Sequence, residues 1–213
     1  MKKTLNKTKI ADFATYIGVV IAFIVMNALM NEGLLTRSMK GQLVPICCYI
    51  VMAVSLNLTV GILGELSLGH AGFMSVGAFT GVVTAMSLQS AIPSDGVRLA
   101  LAIVMGAIFA GIAGTLVGIP VLRLHGDYLA IVTLAFGEII KELINCLIIG
   151  HDENGLHIIF NATGAKTVTD LGLTETGKVL IKGAQGATGT DTIASFTAGF
   201  ILIMVTLVVV LNL

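Results

Sequence analysis

The chain has 213 residues, 56% of them hydrophobic and 11% charged, with twelve Lys and Arg against twelve Asp and Glu, and a mean hydropathy of +0.99. A soluble domain carries about a quarter charged residues, so lipid is the predicted solvent for most of this surface. Zero net charge excludes a nucleic-acid footprint, and the three cysteines (Cys47, Cys48 and Cys146), which lack metal-ligand spacing, read as small buried hydrophobes.

Lys2, Lys3, Lys7 and Lys9 precede the apolar run Phe13–Met30. The run is long for a signal peptide and ends on Asn31-Glu32-Gly33 rather than on a small-x-small cleavage site, so it reads as a retained membrane helix. A bilayer requires about 20 apolar residues per spanning helix. Five further segments approach that length: Leu43–Leu63, Leu66–Leu88, Val97–Ile119, Tyr128–Ile149 and Ile193–Leu213. The expected fold is therefore all-α, a polytopic transmembrane helical bundle forming one domain over 1–213.

Only Gly64-Glu65 separates the second segment from the third, which predicts a broken or re-entrant stretch near residues 61–72, covered by protein or a water-filled cavity. Gly77-x-x-x-Gly81 and Gly114-x-x-x-Gly118 have the small-xxx-small spacing that lets helices approach closely in lipid. Helix packing is the simpler reading of these glycines, ahead of a direct transport role.

The N-terminal lysines place that end in the cytoplasm. Six alternating spans then put 150–192 outside, although Lys166, Lys178 and Lys182 in that stretch argue the other way. This Gly-, Thr- and Asp-rich connector, with turn signals at Asn154-Gly155 and Lys182-Gly183, is longer than a plain connection needs and is expected to be functional or partly ordered.

Two polar clusters interrupt the apolar sequence. The first holds Glu65, Ser67, Gly69, His70 and Gly72. A helix starting near Ser67 would aim backbone N–H groups at a cavity, suiting an anionic group such as a substrate carboxylate; a simple helix cap explains Ser67 equally well. The second comprises Asp127, Tyr128, Thr133, Glu138, Lys141, Glu142 and Asn145. Positions 134, 138, 141, 142 and 145 share a helical face, and Glu138 can pair with Lys141. A paired stripe inside a span should face the interior of the protein, whereas charges near the end of a tilted span would snorkel to water.

There is no hydrolytic, redox or metal constellation, no Walker A sequence and no implied cofactor. The chain is not expected to be an enzyme.

Gly64-Glu-Leu-Ser-Leu-Gly-His-Ala-Gly-Phe73, followed by Gly77-Ala78-Phe79, resembles the signature of permeases of branched-chain amino acid ABC importers. Leu122-Arg-Leu-His-Gly-Asp-Tyr-Leu-Ala-Ile-Val-Thr-Leu-Ala-Phe-Gly-Glu-Ile-Ile140 resembles the LivM-type branch. The likeness is close over about Val60 to Glu142, and Asn154-Gly155 resembles a short motif after the fifth span. Glu65 stands where the family commonly has Gln, and His125 where it commonly has Arg. Related permeases for urea and short amides share much of the pattern.

The resemblance implies a bacterial plasma-membrane transport subunit working by alternating access. Its implied partners are a second permease subunit, two cytoplasmic ATPase subunits and an extracytoplasmic substrate-binding protein. Outside the resemblance, an ion-coupled carrier with Glu138 and Lys141 as a proton relay, or a non-transporting scaffold, would also fit an apolar chain of this kind. The run Ile193–Leu213 is apolar to its last residue, and the family continues from there with a coupling segment, so the native chain is expected to continue.

Overall fold

The computed structural model describes residues 2–62, 64, 67–121, 123–124, 126–161, 168–174 and 177–212, with side chains from residue 13 onward. Among the described residues there are six α-helices: α1 (Lys2–Asn31), α2 (Arg37–Asn57), α3 (His70–Ser87), α4 (Asp95–Val121), α5 (Asp127–Asn145) and α6 (Phe196–Asn212). Three short strands lie between α5 and α6: β1 (Leu147–Asp152), β2 (Gly155–Phe160) and β3 (Lys178–Lys182). The chain divides into two compact units, one of residues 1–63 with 194–213 and one of residues 64–193.

In the first unit α6 packs on α2 and α1. Cys47, Ile203 and Leu207 form its buried core, with Tyr16, Val19 and Val54 against them. Gly199 permits the closest approach: a Cβ there would lie 2.8 Å from the Cβ of Cys47. Phe23 stacks on Phe196 and Phe200 at ring separations of 5.3 and 4.0 Å.

Thr36 caps α2, its Oγ1 accepting the Met39 amide at 3.4 Å. At its far end α2 runs into a single π turn, Leu58–Ile62. Gly61 fits that turn because a Cβ there would stand 2.7 Å from Asn57 Oδ1. Among the described residues the next helix begins at His70, so the two elements end and start within the stretch where the sequence places a break.

Among the described residues three helical stretches are long and apolar enough to cross a membrane: Phe13–Asn31, Arg37–Ile62 and Asp95–Val121. The segments expected to be the third, fifth and sixth spans are helical too, but differ in length or polarity. α3 is diluted by its glycines and hydroxyls, α5 carries Asp127, Glu138, Lys141 and Glu142, and the described part of α6 is 17 residues long.

The fifth segment is also shorter than expected. Its helix stops at Asn145, and Leu147-Ile148-Ile149 turns into β1. β-branched residues bury as readily in a strand as in a helix, and an apolar run does not distinguish the two. β1 is the centre of an antiparallel sheet of order β2-β1-β3. Leu180 and Ile181 on β3 are fully buried and pack with Ile149 against Met86, Phe79 and Val82 of α3, each worth about 1.5–3 kcal/mol relative to exposure.

Asp152 closes the β1–β2 hairpin. Its Oδ1 accepts the Asn154 amide at 2.8 Å and lies 3.0 Å from His157 Nε2, while its Oδ2 accepts the Thr174 amide at 3.3 Å. Burial works against this charge, but the two amides and the imidazole outweigh it and hold the carboxyl below its usual range.

Candidate functional site

The second unit is assembled on α3, which has glycine on two of its sides. Toward α4, a Cβ on Gly106 would lie 2.6 Å from the Gly77 carbonyl oxygen, and one on Gly81 would lie 3.4 Å from that of Ala102. The paired numbers fall as the others rise, so α3 and α4 are antiparallel. Toward α5, a Cβ on Gly69 would stand 2.8 Å from the Thr133 oxygen, and one on Gly72 would stand 3.0 Å from the Gly137 Cα. Here both numbers rise together, so α3 and α5 are parallel. Of the two small-xxx-small pairs in the sequence, Gly77 and Gly81 are used in this way, whereas Gly114 and Gly118 have nothing within 4 Å.

The parallel pairing means that α3 starts beside Thr133, six residues along α5 and so about 9 Å from its start. Thr133 is buried, donates to the Ala130 carbonyl at 3.0 Å and accepts the Leu68 amide at 3.1 Å. Ser67 is half-buried just ahead of this contact. The Nδ1 of His70, at the first position of α3, is buried and finds no hydrogen-bond partner among the described residues.

Beyond this junction α3 and α5 leave a groove of about 360 Å³ between them. Leu68, Ala71, Gly72, Leu134 and Gly137 line one end. Ser75, Glu138 and Lys141 form a polar belt at the middle. Phe79, Ile144 and Asn145 follow, and the turn holding Gly183, Ala184 and Gly186 closes the far end. That turn reaches α5 because Gly183, at φ +52°, brings its Cα against the Asn145 carbonyl, where a Cβ would approach to 2.5 Å.

Glu138 and Lys141 form the expected ion pair, 2.5 Å from Nζ to Oε1. The pair is not enclosed: each side chain is about 60% exposed at the groove. Ser75 Oγ donates to the Gly72 carbonyl at 2.6 Å and keeps its lone pairs. Asn145 Nδ2 reaches Glu142 Oε1 only at 3.5 Å.

The residues singled out in the sequence therefore separate. Gly72, Glu138 and Lys141 line the groove, and Ser67, Gly69, His70 and Thr133 build the junction below it. Asp127 and Tyr128 are exposed on the first turn of α5, about 16 Å before Glu138; they do not join this site. Glu65 and His125 lie outside the described residues.

Sequence reasoning missed Ser75 and gave no place in a site to Phe79, quoted there only within a signature, or to the turn at 183–186, flagged there only by Lys182-Gly183. For the turn, the signal was Gly183-Ala-Gln-Gly186, two glycines at positive φ; for Ser75 there was no signal beyond a hydroxyl in an apolar run.

A second hollow, of about 670 Å³, lies at the sheet beside Gln89, His151, Glu153 and Lys178. Asp152 in its wall is already committed to the hairpin.

Residues 38–213 match the family model described as "Branched-chain amino acid transport system / permease component". Over 100 residues, 45% of this chain, the sequence is 42% identical to the high-affinity branched-chain amino acid transport system permease protein LivM of Escherichia coli strain K12. It is 41% identical over the same length to the protein of that name from Salmonella typhimurium strain LT2. The matched stretch spans about a fifth of each relative, 21%. No solved structure matches the chain.

Proposed function

Because this chain belongs to the family of permease components of branched-chain amino acid transport systems, we propose that it is a membrane subunit of an ATP-driven importer of branched-chain amino acids. The observation that carries the reading is the family match across 38–213, which takes in both helical units. The relatives are named for high-affinity branched-chain amino acid transport, and that substrate class suits a groove with apolar ends and a charged middle.

In this reading the chain moves solute by alternating access and hydrolyses nothing itself. Two cytoplasmic ATPase subunits bias the permease between two states through their differential affinity for each. A second permease subunit completes the route, and an extracytoplasmic binding protein delivers the amino acid. The N-terminus is cytoplasmic, supported by the lysines at 2, 3, 7 and 9. The stretch 150–192 then faces outward, toward the binding protein.

Uptake of labelled leucine into proteoliposomes holding the whole assembly tests this. ATP and the binding protein should both be required. Uptake by this chain without ATPases, driven by a proton gradient, would instead establish an ion-coupled carrier, and uptake of urea or short amides in place of leucine would reassign the substrate.

A further inference from the structure

Resting on that proposed function, the geometry points to the α3–α5 groove as a holding site for the zwitterionic head of the transported amino acid: Glu138 takes its ammonium, Lys141 takes its carboxylate, and the apolar end of the groove takes its side chain.

Three observations converge on this class of ligand. First, the charged groups border a groove, and the groove is of a size that holds small molecules. Second, the two charges are of opposite sign and paired with each other across one helical turn. An ion pair this exposed holds together weakly, so a ligand carrying one ammonium and one carboxylate can replace it with two pairs and leave no charge unmatched. Third, the belt carries a hydroxyl of the right polarity. Ser75 Oγ can accept from the same ammonium, since its hydrogen is already given to Gly72.

Position along the groove gives the orientation. Gly72 faces Gly137, so Ser75 is level with the residues just before Lys141. Toward the start of α3 the lining changes to Leu68, Ala71 and Leu134, apolar walls over a floor where Gly72 and Gly137 meet. A branched aliphatic chain fits there beneath the charged head. A solute with only one of the two charges would leave either Glu138 or Lys141 without a partner.

The test uses the assembled transporter with Ser75→Cys in this chain, treated with a small methanethiosulfonate and followed by the mass of this chain. Saturating leucine should slow modification by about tenfold or more, the scale of a charge-assisted contact. Leucinamide and 4-methylpentanoate, each lacking one charge, should protect far less, and Lys141→Gln added to Ser75→Cys should remove leucine's protection. The exchanged variant Glu138→Lys with Lys141→Glu keeps an ion pair but reverses the clamp. Its leucine uptake should stay at least about tenfold below normal at normal assembly with the ATPases, whereas a purely structural pair would be rescued.

Equal protection by all three compounds, or none by any, in a preparation that imports leucine would overturn the site. Full rescue by the exchange would overturn the clamp. A preparation that imports no leucine while fully assembled overturns the transport reading beneath it instead.

Discussion

The Leu68 amide donates to Thr133 Oγ1 at 3.1 Å, joining the segment ahead of α3 to a buried hydroxyl on α5 that lies 65 residues away. This bond sets where α3 begins along α5, and hence where the groove opens. Thr133→Val keeps the shape and removes the acceptor, leaving a partly buried N–H unpaired. A loss of about 1–3 kcal/mol follows, readable as a lower unfolding temperature in detergent, while Thr133→Ser should stay near the parent. Equal stability for Val and Ser would mean that the bond contributes nothing.

Two glycine changes on one helix should separate. Gly106→Ala drives a methyl to within 2.6 Å of the Gly77 carbonyl oxygen, and backbone cannot yield as a side-chain tip can. About 1–3 kcal/mol of destabilisation is expected. Gly114→Ala meets nothing within 4 Å and should be neutral or stabilise by up to about 1 kcal/mol through helix propensity. Comparing the folded fraction of both proteins at one temperature checks the order.

In the first unit, Gly199→Ala should destabilise because its methyl would sit 2.8 Å from the Cys47 Cβ. Cys47→Gly removes that atom. The double variant should therefore lose less than the sum of the two single losses, a coupling of about 0.5 kcal/mol or more for residues in contact. Simple additivity in a thermal unfolding series would show that α2 and α6 adjust freely.

The Asp152 carboxyl titrates below its ordinary value of 3.8, because two backbone amides and His157 outweigh the burial that opposes its charge. A depressed folded pKa gives stability that is present above the unfolded value and is lost as pH falls through the folded one. Protection of the Asn154 and Thr174 amides, taken relative to their intrinsic exchange rates at each pH, should thus be high at neutral pH and fall only below about pH 3.8. Asp152→Asn should lower it at both amides at neutral pH, with the difference from the parent shrinking on acidification. A variant indistinguishable from the parent at pH 7 would rule out a charge contribution.

Composition alone pointed to the solvent: a chain with 11% charge and long apolar segments exposes more apolar surface than water favours. The end of the second helical segment near Ile62 and the start of α3 at His70 were legible because glycines and a charge interrupt an apolar run, and the Glu138–Lys141 pair because three residues span one helical turn. Asp127 and Tyr128 looked like part of the same cluster because sequence proximity is all a motif records; the rise of the helix carries them away from it.

What the tertiary structure decided was partnership. That Leu147–Asp152 is a strand depended on Ile158 and Ile181 being at hand to pair with it. Gly77 and Gly114 have the same local pattern, yet only Gly77 meets another backbone. Ser75 becomes part of a site only because α5 runs parallel to α3 at a depth fixed by Thr133. Each of these rests on contacts between residues far apart in the chain, and local periodicity carries no record of them.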